Sequence, residues 1–360
     1  MFSPQNKPGV VIDCERMKYP FTGLHQFCKH LGQSLLQTAQ QPGQLHFYLP
    51  QSLGQPFGPA VNYVHQKAWH RHWLPLPAPI GLWHCTHQTA AYLPANKNIP
   101  VLLTIHDLNY LLDEDRPAFK KRRFVHRLQR IIDRSAAVVC ISHFTMNEVK
   151  QHFRLGQQLQ SVIYNGSTIE PLQQLTPPVH IPTTPFLFTI GTIAEKKNFH
   201  VLPPLLKTFD GLLIIAGITQ DAGYKKRIEA VAEQHGVRSR LVFTGPVTEN
   251  DKQWYLKNCT AFLFPSLAEG FGLPVVEAAH FGKPIFLANV TSLPEIGGPH
   301  AYYFQNFDPQ QMQQTLAWGL SEFEGSGRRE GLLAHAQKFS FTEAAKQYHQ
   351  LYQQLLVSKS

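Results

Sequence analysis

Short apolar runs rich in β-branched residues alternate with amphipathic stretches along the chain. The first series is GVVID (9–13), LHFYLP (45–50), IGLWHC (80–85), VLLTIHD (101–107), AAVVCIS (136–142) and SVIYNG (161–166). The second series is FLFTIG (186–191), GLLIIAG (211–217), RLVFTG (240–245), AFLFPS (261–266) and KPIFLANV (283–290). Buried strands that alternate with helices are typical of parallel sheets. The pattern therefore predicts an α/β protein.

A proline-rich segment separates the two series. It reads PLQQLTPPVHIPTTP (171–185) and contains five prolines, which stiffen the backbone and cannot donate to a sheet. A chain of 360 residues also exceeds what one hydrophobic core usually supports. We therefore predict two Rossmann-like, doubly wound domains, over 1–170 and 186–340, that face a cleft and are joined by this linker.

The last segment, 341–360, is predicted to form a helix that returns to the N-terminal domain. Its apolar positions recur at helical spacing and would share one face, namely Ala345, Tyr348, Leu351, Tyr352 and Leu355.

The composition excludes several classes of protein. Hydrophobic residues make up 43% and aromatic residues 11% of the chain, which argues against disorder as its main state. No apolar run approaches the ~20 residues of a membrane-spanning helix, and the first residues lack the apolar core of a signal peptide. The five cysteines are an odd number and lie far apart, so neither a disulfide framework nor a zinc finger is expected. We expect a cytoplasmic protein that is soluble or peripheral on the inner face of a membrane.

The formal net charge of +9 is concentrated before residue 180, where 17 basic residues face 9 acidic ones. Eight of these basic residues and a single acid lie in RPAFKKRRFVHRLQRIIDR (116–134). On a helix, a spacing of three and four residues would place five of them in one stripe, namely Lys120, Arg123, Arg127, Arg130 and Arg134. We predict that this stripe meets an anionic acceptor or membrane surface, with a solvated face as the alternative. Nucleic acid is not expected, because RNA recognition calls for exposed, interleaved aromatic residues and a basic second half.

The densest motif is FPSLAEGFGLPVVEA (264–278), in which Glu269 and Glu277 are eight positions apart. Glycines before a helix let backbone amides approach a phosphate, and here the candidate positions are Gly270, Phe271, Gly272 and Leu273. A carboxylate within the helix suits ribose hydroxyls, which we predict for Glu277. Glu269, in the preceding loop, would lie nearer the reacting group.

This motif resembles the E-x7-E signature of retaining glycosyltransferases with two Rossmann-like domains, the GT-B architecture, and specifically glycosyltransferase family 4. Further segments are similar to that family's motifs in the expected order: TIHDL (104–108), CISHFTMNEV (140–149), VIYNGSTI (162–169), GTIAEKKNFHVL (191–202) and FTGPV (243–247). The resemblance covers about residues 9 to 356. It is strongest after residue 186.

The resemblance implies how the second domain would bind a nucleotide-sugar donor. Lys197 would neutralise the donor diphosphate, and Gly191 and Thr192 would form the close turn before it. Many relatives carry arginine at the position of Thr192, so Lys196 or another basic residue is expected to share that charge. The backbone of Gly245 to Val247 would contact the nucleotide base.

In the first domain, the resemblance implies that His106 approaches the sugar of the donor. Gly23 resembles a glycine loop that admits the donor phosphate and the acceptor, although relatives often have two glycines where this chain has Thr22 and Gly23.

Two further patterns are interpreted as non-catalytic. Asp113 and Asp115 read as D-x-D but precede Arg116 and Pro117, as acids at a helix N-terminus do. The pairs His70-x-His72 and His84-x-x-His87 have no supporting zinc ligands nearby and are interpreted as polar loops. We therefore expect no metal and no cofactor.

The resulting hypothesis is a retaining glycosyltransferase that moves a hexose from a nucleotide sugar to a saccharide acceptor. TIHDL and GTI-x-x-KKN are most similar to bacterial mannosyltransferases that build lipopolysaccharide, so the expected donor is GDP-mannose, followed by UDP-sugars. The acceptor is expected to be lipid-linked or anionic. A nucleotide-sugar epimerase of similar fold and a catalytically inactive glycan- or RNA-binding protein remain as alternatives.

Overall fold

The protein divides into two compact units, each built on a parallel sheet. One unit contains the residues up to Gly166 and those from Ser340 onwards, and the other is Ser167–Phe339. The computed structural model describes residues 8–20, 22–77, 79–113, 116–170, 172 and 174–357. The prediction of two Rossmann-like domains is confirmed.

The strands of the first unit are β1 (Gly9–Asp13), β2 (Leu45–Leu49), β3 (Asn62–His65), β4 (Ile80–Cys85), β5 (Val101–Ile105), β6 (Ala137–Cys140) and β7 (Leu159–Val162). Over the described residues they form one parallel sheet in the order β3-β2-β1-β4-β5-β6-β7.

The strands of the second unit are β8 (Phe186–Ile190), β9 (Leu212–Ala216), β10 (Leu241–Gly245), β11 (Ala261–Phe264), β12 (Ile285–Ala288) and β13 (Tyr302–Phe304). They too are parallel, and their order is β10-β9-β8-β11-β12-β13. In both sheets the chain winds outward from the first strand in one direction and then in the other, as in a Rossmann fold.

The helices are α1 (Gly23–Thr38), α2 (Asn109–Leu112), α3 (Ala118–Arg134), α4 (His143–His152), α5 (Ala222–Gln234), α6 (Glu249–Asn258), α7 (Leu273–Ala279), α8 (Leu293–Gly297), α9 (Pro309–Phe323), α10 (Arg328–Ala336) and α11 (Phe341–Val357). None of the helices within the described ranges is both long enough and apolar enough to cross a membrane.

Helices cover both faces of the first sheet. On one face, α1 packs against α11, whose Tyr348 and Tyr352 are buried with Phe27 of α1. On the other face, α3 and α4 bury Leu128 and Val149 against the strands. Apolar residues therefore occupy both faces of the strands, which explains why the strand sequences are almost continuously hydrophobic.

The proline-rich segment predicted as a linker lies along α6. The backbone amide of Thr176 donates to Oδ1 of Asn250 at 3.0 Å, and the side-chain amide of Asn250 donates to the carbonyl of Thr176 at 2.8 Å. The hydroxyl of Tyr255 donates to the carbonyl of His180 at 2.8 Å. Pro171 and Gln173 lie outside the described residues.

Candidate functional site

The strand orders define one candidate binding edge in each unit, where the carboxyl ends of the central strands meet. The direction of winding reverses between β1 and β4 in the first sheet and between β8 and β11 in the second. Ligands of open α/β sheets bind beyond the carboxyl ends of the strands at such a point. Polar side chains follow these strands in both units.

In the second unit, Lys197 and Glu269 form an ion pair at this edge. Lys197 ends a 3-10 turn after β8, and its ammonium contacts the carboxylate of Glu269. Their side chains are 12% and 15% exposed, so solvent screens the pair only in part. The hydroxyl of Ser266 donates to the same carboxylate oxygen at 2.6 Å, and the ring of Phe264 lies 4.8 Å from the ammonium. The structure thus brings together the two charged residues that the sequence predicts for catalysis.

Buried hydrogen bonds fix the loop that carries Glu269. The hydroxyl of Ser292 lies 3.0 Å from the carbonyl oxygen of Glu269 and 3.1 Å from that of Phe271. The carbonyl of Lys196 accepts from the backbone amide of Leu267 at 2.8 Å. Ser292 is fully buried and was not predicted, because no sequence pattern links it to a loop more than twenty residues away.

Glu277 lies in the second turn of α7 and is held by a second ion pair. The ammonium of Lys252, on α6, is 2.8 Å from Oε1 of Glu277, and the hydroxyl of Thr168 donates to the same oxygen. The two charged side chains are 13% and 8% exposed. Burial alone would lower the pKa of Lys252, but the carboxylates of Glu277 and Glu249 raise it above its usual value. Lys252 therefore stays charged and neutralises Glu277.

Glycines permit close backbone approaches around these residues. Gly272 precedes α7 with a φ of +100°, and a Cβ atom there would lie 3.0 Å from the side chain of Leu293. Gly217 follows β9, and a Cβ atom there would lie only 2.0 Å from the carbonyl oxygen of Gly191. The amide of Gly217 in turn donates to the carbonyl of Gly245 at 2.8 Å. The turn predicted at Gly191 thus depends on Gly217, which sequence reasoning missed.

The other residues of the second unit that were predicted to bind the nucleotide-sugar donor differ in their exposure to solvent. Lys196 has an exposed side chain, Thr192 and Val247 are half-buried, and the ring of Phe271 is buried 5.6 Å from that of Phe339. Gly270 and Leu273 flank the start of α7, which is only seven residues long and has proline at its second position. A helix this short has few aligned peptides, so its N-terminal dipole is weak.

In the first unit, His106 directly follows β5 and is 7% exposed. Its Nε2 lies 2.8 Å from the carbonyl oxygen of Thr86, and its ring meets that of Phe27 edge-on at 4.5 Å. Because a carbonyl only accepts, Nε2 carries the proton. Burial lowers the pKa of His106 to about 4, although the hydrogen bond to Thr86 opposes that shift. The ring is therefore neutral at pH 7, and Nδ1 is an acceptor.

A chain of polar contacts that was not predicted lies beside His106. A guanidinium nitrogen of Arg16 donates to the hydroxyl of Thr89 at 2.8 Å, and that hydroxyl is 2.8 Å from Nδ1 of His87. The rings of His87 and His106 are 5.9 Å apart. Burial, together with the positive charge of Arg16 and other neighbours, lowers the pKa of His87 well below its usual value.

Asp13, the last residue of β1, is a second residue that was not predicted. It is 6% exposed, and its Oδ1 accepts from the amide of Glu15 at 3.1 Å. Burial raises the pKa of Asp13 to about 7, against the opposing effect of that hydrogen bond. Its signal in the sequence is a polar residue that ends an apolar run, GVVID.

Gly23 is the first residue of α1 and is exposed. A Cβ atom added at this position would have no heavy atom within 4 Å. The preceding Thr22 caps the helix, since its hydroxyl accepts from the amide of His25 at 3.3 Å.

The predicted basic stripe on α3 contains two kinds of residue. Arg127 donates to the carbonyls of Thr89 and Ala90 at 3.3 and 3.2 Å. Arg134 donates to the carbonyl of Ile99 at 2.9 Å. Both therefore hold loops of the first unit. The other three members have exposed side chains, namely Lys120, Arg123 and Arg130.

The interpretation of the histidine pairs as loops is wrong for His84 and His70. His84 lies within β4, fully buried, with Nδ1 2.7 Å from the hydroxyl of Tyr352 and Nε2 2.8 Å from that of Thr104. His70 is buried in a 3-10 turn, 3.2 Å from the hydroxyl of Tyr48. Both satisfy buried hydroxyls, which is a structural role.

Asp113 forms an ion pair with Arg116 at 2.7 Å, whereas Asp115 lies outside the described residues. No group of three His, Cys, Asp or Glu side chains in the described part of the chain has a geometry that could hold a metal ion.

Comparison with known proteins identifies the family. Residues 44–170 match the family model described as Glycosyltransferase Family 4, and residues 176–326 match Glycosyl transferases group 1.

Two relatives come from Escherichia coli. The chain is 28% identical over 281 residues to the serotype-specific mannosyltransferase WbdA, an alignment that covers 70% of this chain and 33% of WbdA. The chain thus spans about a third of that relative. It is 24% identical over 388 residues to the O-antigen chain mannosyltransferase B, covering 94% of this chain and 97% of the relative.

Among solved structures, HepE of Anabaena in complex with UDP and glucose matches with a TM-score of 0.70 at 17% identity. That match covers 96% of this chain and all of HepE, and it establishes the fold. The chain belongs to the family 4 glycosyltransferases of GT-B architecture.

Proposed function

We propose that the protein is a retaining hexosyltransferase that moves a sugar from a nucleotide donor to a saccharide acceptor. The observation that carries this proposal is the contact between Lys197 and Glu269, beside Ser266, at the point where the second sheet reverses its winding. Such a point is where α/β folds bind nucleotides. The cluster holds a cation for a leaving diphosphate and an anion for a sugar that develops positive charge.

The proposed chemistry exchanges one bond to the anomeric carbon for another. The bond from that carbon to the diphosphate breaks while the acceptor hydroxyl attacks from the same face, and its proton passes to the leaving phosphate oxygen. Lys197 stabilises the charge that develops on the leaving group, with Lys196 in a supporting role. Electrostatic stabilisation of this kind is usually the largest single contribution to catalysis.

Glu277 is proposed to hold the ribose of the donor. Lys252 and Thr168 both bond Oε1, so Oε2 is the oxygen proposed to accept from a ribose hydroxyl. The buried ion pair would hold the carboxylate in the required orientation.

His106 is proposed to contact the hexose of the donor. Its neutral ring, with the proton on Nε2, leaves Nδ1 as an acceptor for a sugar hydroxyl. A neutral imidazole also avoids placing positive charge near a sugar that becomes cationic in the transition state.

The relatives guide the choice of donor and acceptor. Two are named mannosyltransferases, so we propose mannose as the sugar, and a GDP-linked donor before a UDP-linked one. HepE was solved with UDP and glucose, which supports a nucleotide-sugar donor of either base. The name of one relative specifies the O-antigen chain, and we propose a lipid-linked or anionic acceptor such as a lipopolysaccharide core, used at the cytoplasmic face of a membrane.

The test is to incubate the protein with GDP-mannose, UDP-glucose and UDP-galactose, each labelled in the sugar, with and without lipopolysaccharide core acceptors. Transfer of label to an acceptor, with the α-configuration of the donor retained in the product by NMR, supports the proposal. Release of free sugar without an acceptor would instead indicate an epimerase or hydrolase, and no binding of any nucleotide would indicate an inactive protein. We expect no divalent metal ion to take part, because Lys197 and backbone amides would meet the phosphate charge, so transfer should continue in excess EDTA.

A further inference from the structure

A groove between α3 and α4 in the first unit is lined by basic side chains. It has a volume of about 650 Å³ and is bounded by α3 on one side and by the end of α4 and the residues after it on the other. Six of its lining residues carry or can carry positive charge, namely Lys121, Arg122, His126, Lys150, His152 and Arg154. The lining contains no carboxylate. This groove lies on a different face of α3 from the stripe predicted from the sequence.

Acidic neighbours offset only part of the positive charge of the groove. Among the described residues, no carboxylate pairs with Lys121, Arg122, Lys150 or Arg154. Two carboxylates lie beside the groove: that of Glu148 is 3.8 Å from Nε2 of His152, and that of Asp133 accepts from the side-chain amide of Gln129 at 2.7 Å. Like charges held together without partners repel one another, so this surface favours an anionic ligand.

Two hydrogen bonds between the side chain of Gln129 and the backbone of Arg154 join the two sides of the groove. The side-chain amide of Gln129 accepts from the amide of Arg154 at 3.0 Å and donates to its carbonyl at 2.9 Å. This reciprocal pair ties α3 to the segment after α4, so the basic side chains project from a scaffold that is already ordered.

The surroundings of the groove fit a lipid surface better than a nucleic acid. Phe119, at the start of α3 and outside the groove lining, is 63% exposed and lies 6.0 Å from the ammonium of Lys120; an apolar side chain among cations is typical of a helix that lies on a bilayer. The aromatic residue within the groove, Phe153, is buried and offers no face on which a base could stack.

We propose that this groove binds the phosphate headgroups of an anionic lipid surface. The proposal rests on the proposed function in one respect, the use of a lipid-linked acceptor at a membrane, and adds the surface that would attach the protein there. It assigns membrane attachment to the groove rather than to the stripe of Lys120, Arg123 and Arg130.

The test compares three variants with the wild type in sedimentation with phosphatidylglycerol and phosphatidylcholine vesicles. The groove variant carries Lys121→Gln, Arg122→Gln, Lys150→Gln and Arg154→Gln. The stripe variant carries Lys120→Gln, Arg123→Gln and Arg130→Gln. The control removes four exposed lysines of the second unit, as Lys207→Gln, Lys226→Gln, Lys257→Gln and Lys338→Gln.

Each basic residue near an anionic bilayer accounts for about a fivefold change in partitioning, so the groove variant should bind phosphatidylglycerol vesicles at least ~100-fold more weakly than the wild type. The control and the stripe variant should lose much less, and pure phosphatidylcholine should bind none of the four proteins. Equal losses in the groove variant and the control would overturn the proposal, since binding would then follow net charge alone. Wild-type binding by the groove variant would also overturn it.

Soluble anions distinguish the other possible ligands. If the groove variant loses binding of a short RNA but keeps wild-type binding to phosphatidylglycerol vesicles, the groove is a site for RNA and the lipid proposal fails. Circular dichroism and nucleotide binding check that each variant is folded. A groove variant that still binds nucleotide but not vesicles would support this proposal independently of the transfer reaction. The proposed transfer reaction itself is wrong if the wild type binds no nucleotide or transfers no sugar.

Discussion

The ion pair between Lys252 and Glu277 leads to a prediction about ribose recognition. If Lys252 orients the carboxylate that meets the ribose, Lys252→Met should weaken binding of a nucleoside diphosphate through its ribose hydroxyls and not through its phosphates. Methionine keeps most of the aliphatic volume of lysine and removes the charge. Lys257→Met is the matched control, because Lys257 is an exposed lysine on the same helix, α6.

The size of the effect follows from burial. Lys252 and Glu277 are 13% and 8% exposed, and removing one partner of a buried ion pair costs ~3–5 kcal/mol. We take about 3 kcal/mol because the hydroxyl of Thr168 still donates to Glu277, which corresponds to a Tm lower by about 6–12 °C for a domain of this size. A hydrogen bond from a ribose hydroxyl to a carboxylate is worth ~1.5 kcal/mol, so the ribonucleotide should bind about tenfold more tightly than its 2′,3′-dideoxy form.

Calorimetric titration with GDP, UDP and their 2′,3′-dideoxy forms measures this preference, at a temperature where every variant is folded. The wild type and Lys257→Met should prefer the ribonucleotide about tenfold, whereas Lys252→Met and Glu277→Ala should bind both forms equally. Thr168→Val should reduce the preference in part. The reasoning is refuted if Lys252→Met keeps the full preference, or if it weakens both forms by the same factor, since the ion pair would then only stabilise the fold.

Four further predictions concern the two candidate edges. Lys197→Ala should reduce transfer at least ~100-fold in a labelled-donor assay, and wild-type turnover would contradict its role. Glu269→Gln should slow transfer yet tighten binding of the bare nucleoside diphosphate, because it frees Lys197 for phosphate; weaker binding in calorimetry would disprove this competition. His106→Ala should impair binding of the intact nucleotide sugar more than binding of the nucleotide alone, and equal losses would make it structural. Asp13→Asn should raise Tm at pH 8 but not at pH 4: the folded carboxyl has a pKa of about 7 against 3.8 unfolded, so ionisation costs stability as pH rises between these values, up to about 4 kcal/mol. A gain that is equal at both pH values would contradict that origin.

The sequence predicted the central strands well, because each is buried on both faces and appears as an unbroken apolar run. It missed the edge strands β3 and β13, which read NYVH and YYF, although predicted runs overlap the opposite edge strands β7 and β10. An edge strand is short and pairs on one side only, so its sequence carries little of the hydrophobic signal on which the prediction depends. Here the pairing of His46 with Asn62 and of Phe286 with Tyr302 defines these strands, and such contacts between distant segments are not visible in a local pattern.

The candidate site was predicted where one segment carries several functional residues. Glu269 and Glu277 lie in a single fifteen-residue motif, whereas their partners come from elsewhere: Ser292 follows β12, Lys252 lies on α6, and Thr168 lies at the start of the second unit. These side chains act by hydrogen bonds that only the fold creates. Sequence reasoning therefore found the charges but not the groups that orient them.

The pairing of Lys197 with Glu269 changes how the predicted charges would work. A carboxylate already offsets the ammonium, so a diphosphate can gain full use of Lys197 only by replacing Glu269 as its partner. Glu269 would then be held by the hydroxyl of Ser266, with its loop fixed through the buried hydroxyl of Ser292. The released carboxylate would lie beside the sugar just as the anomeric carbon becomes cationic, while the ammonium meets the departing phosphate. A single exchange of partners would thus stabilise both charges that the reaction separates, and neither charge would have to be buried without a partner before the donor binds.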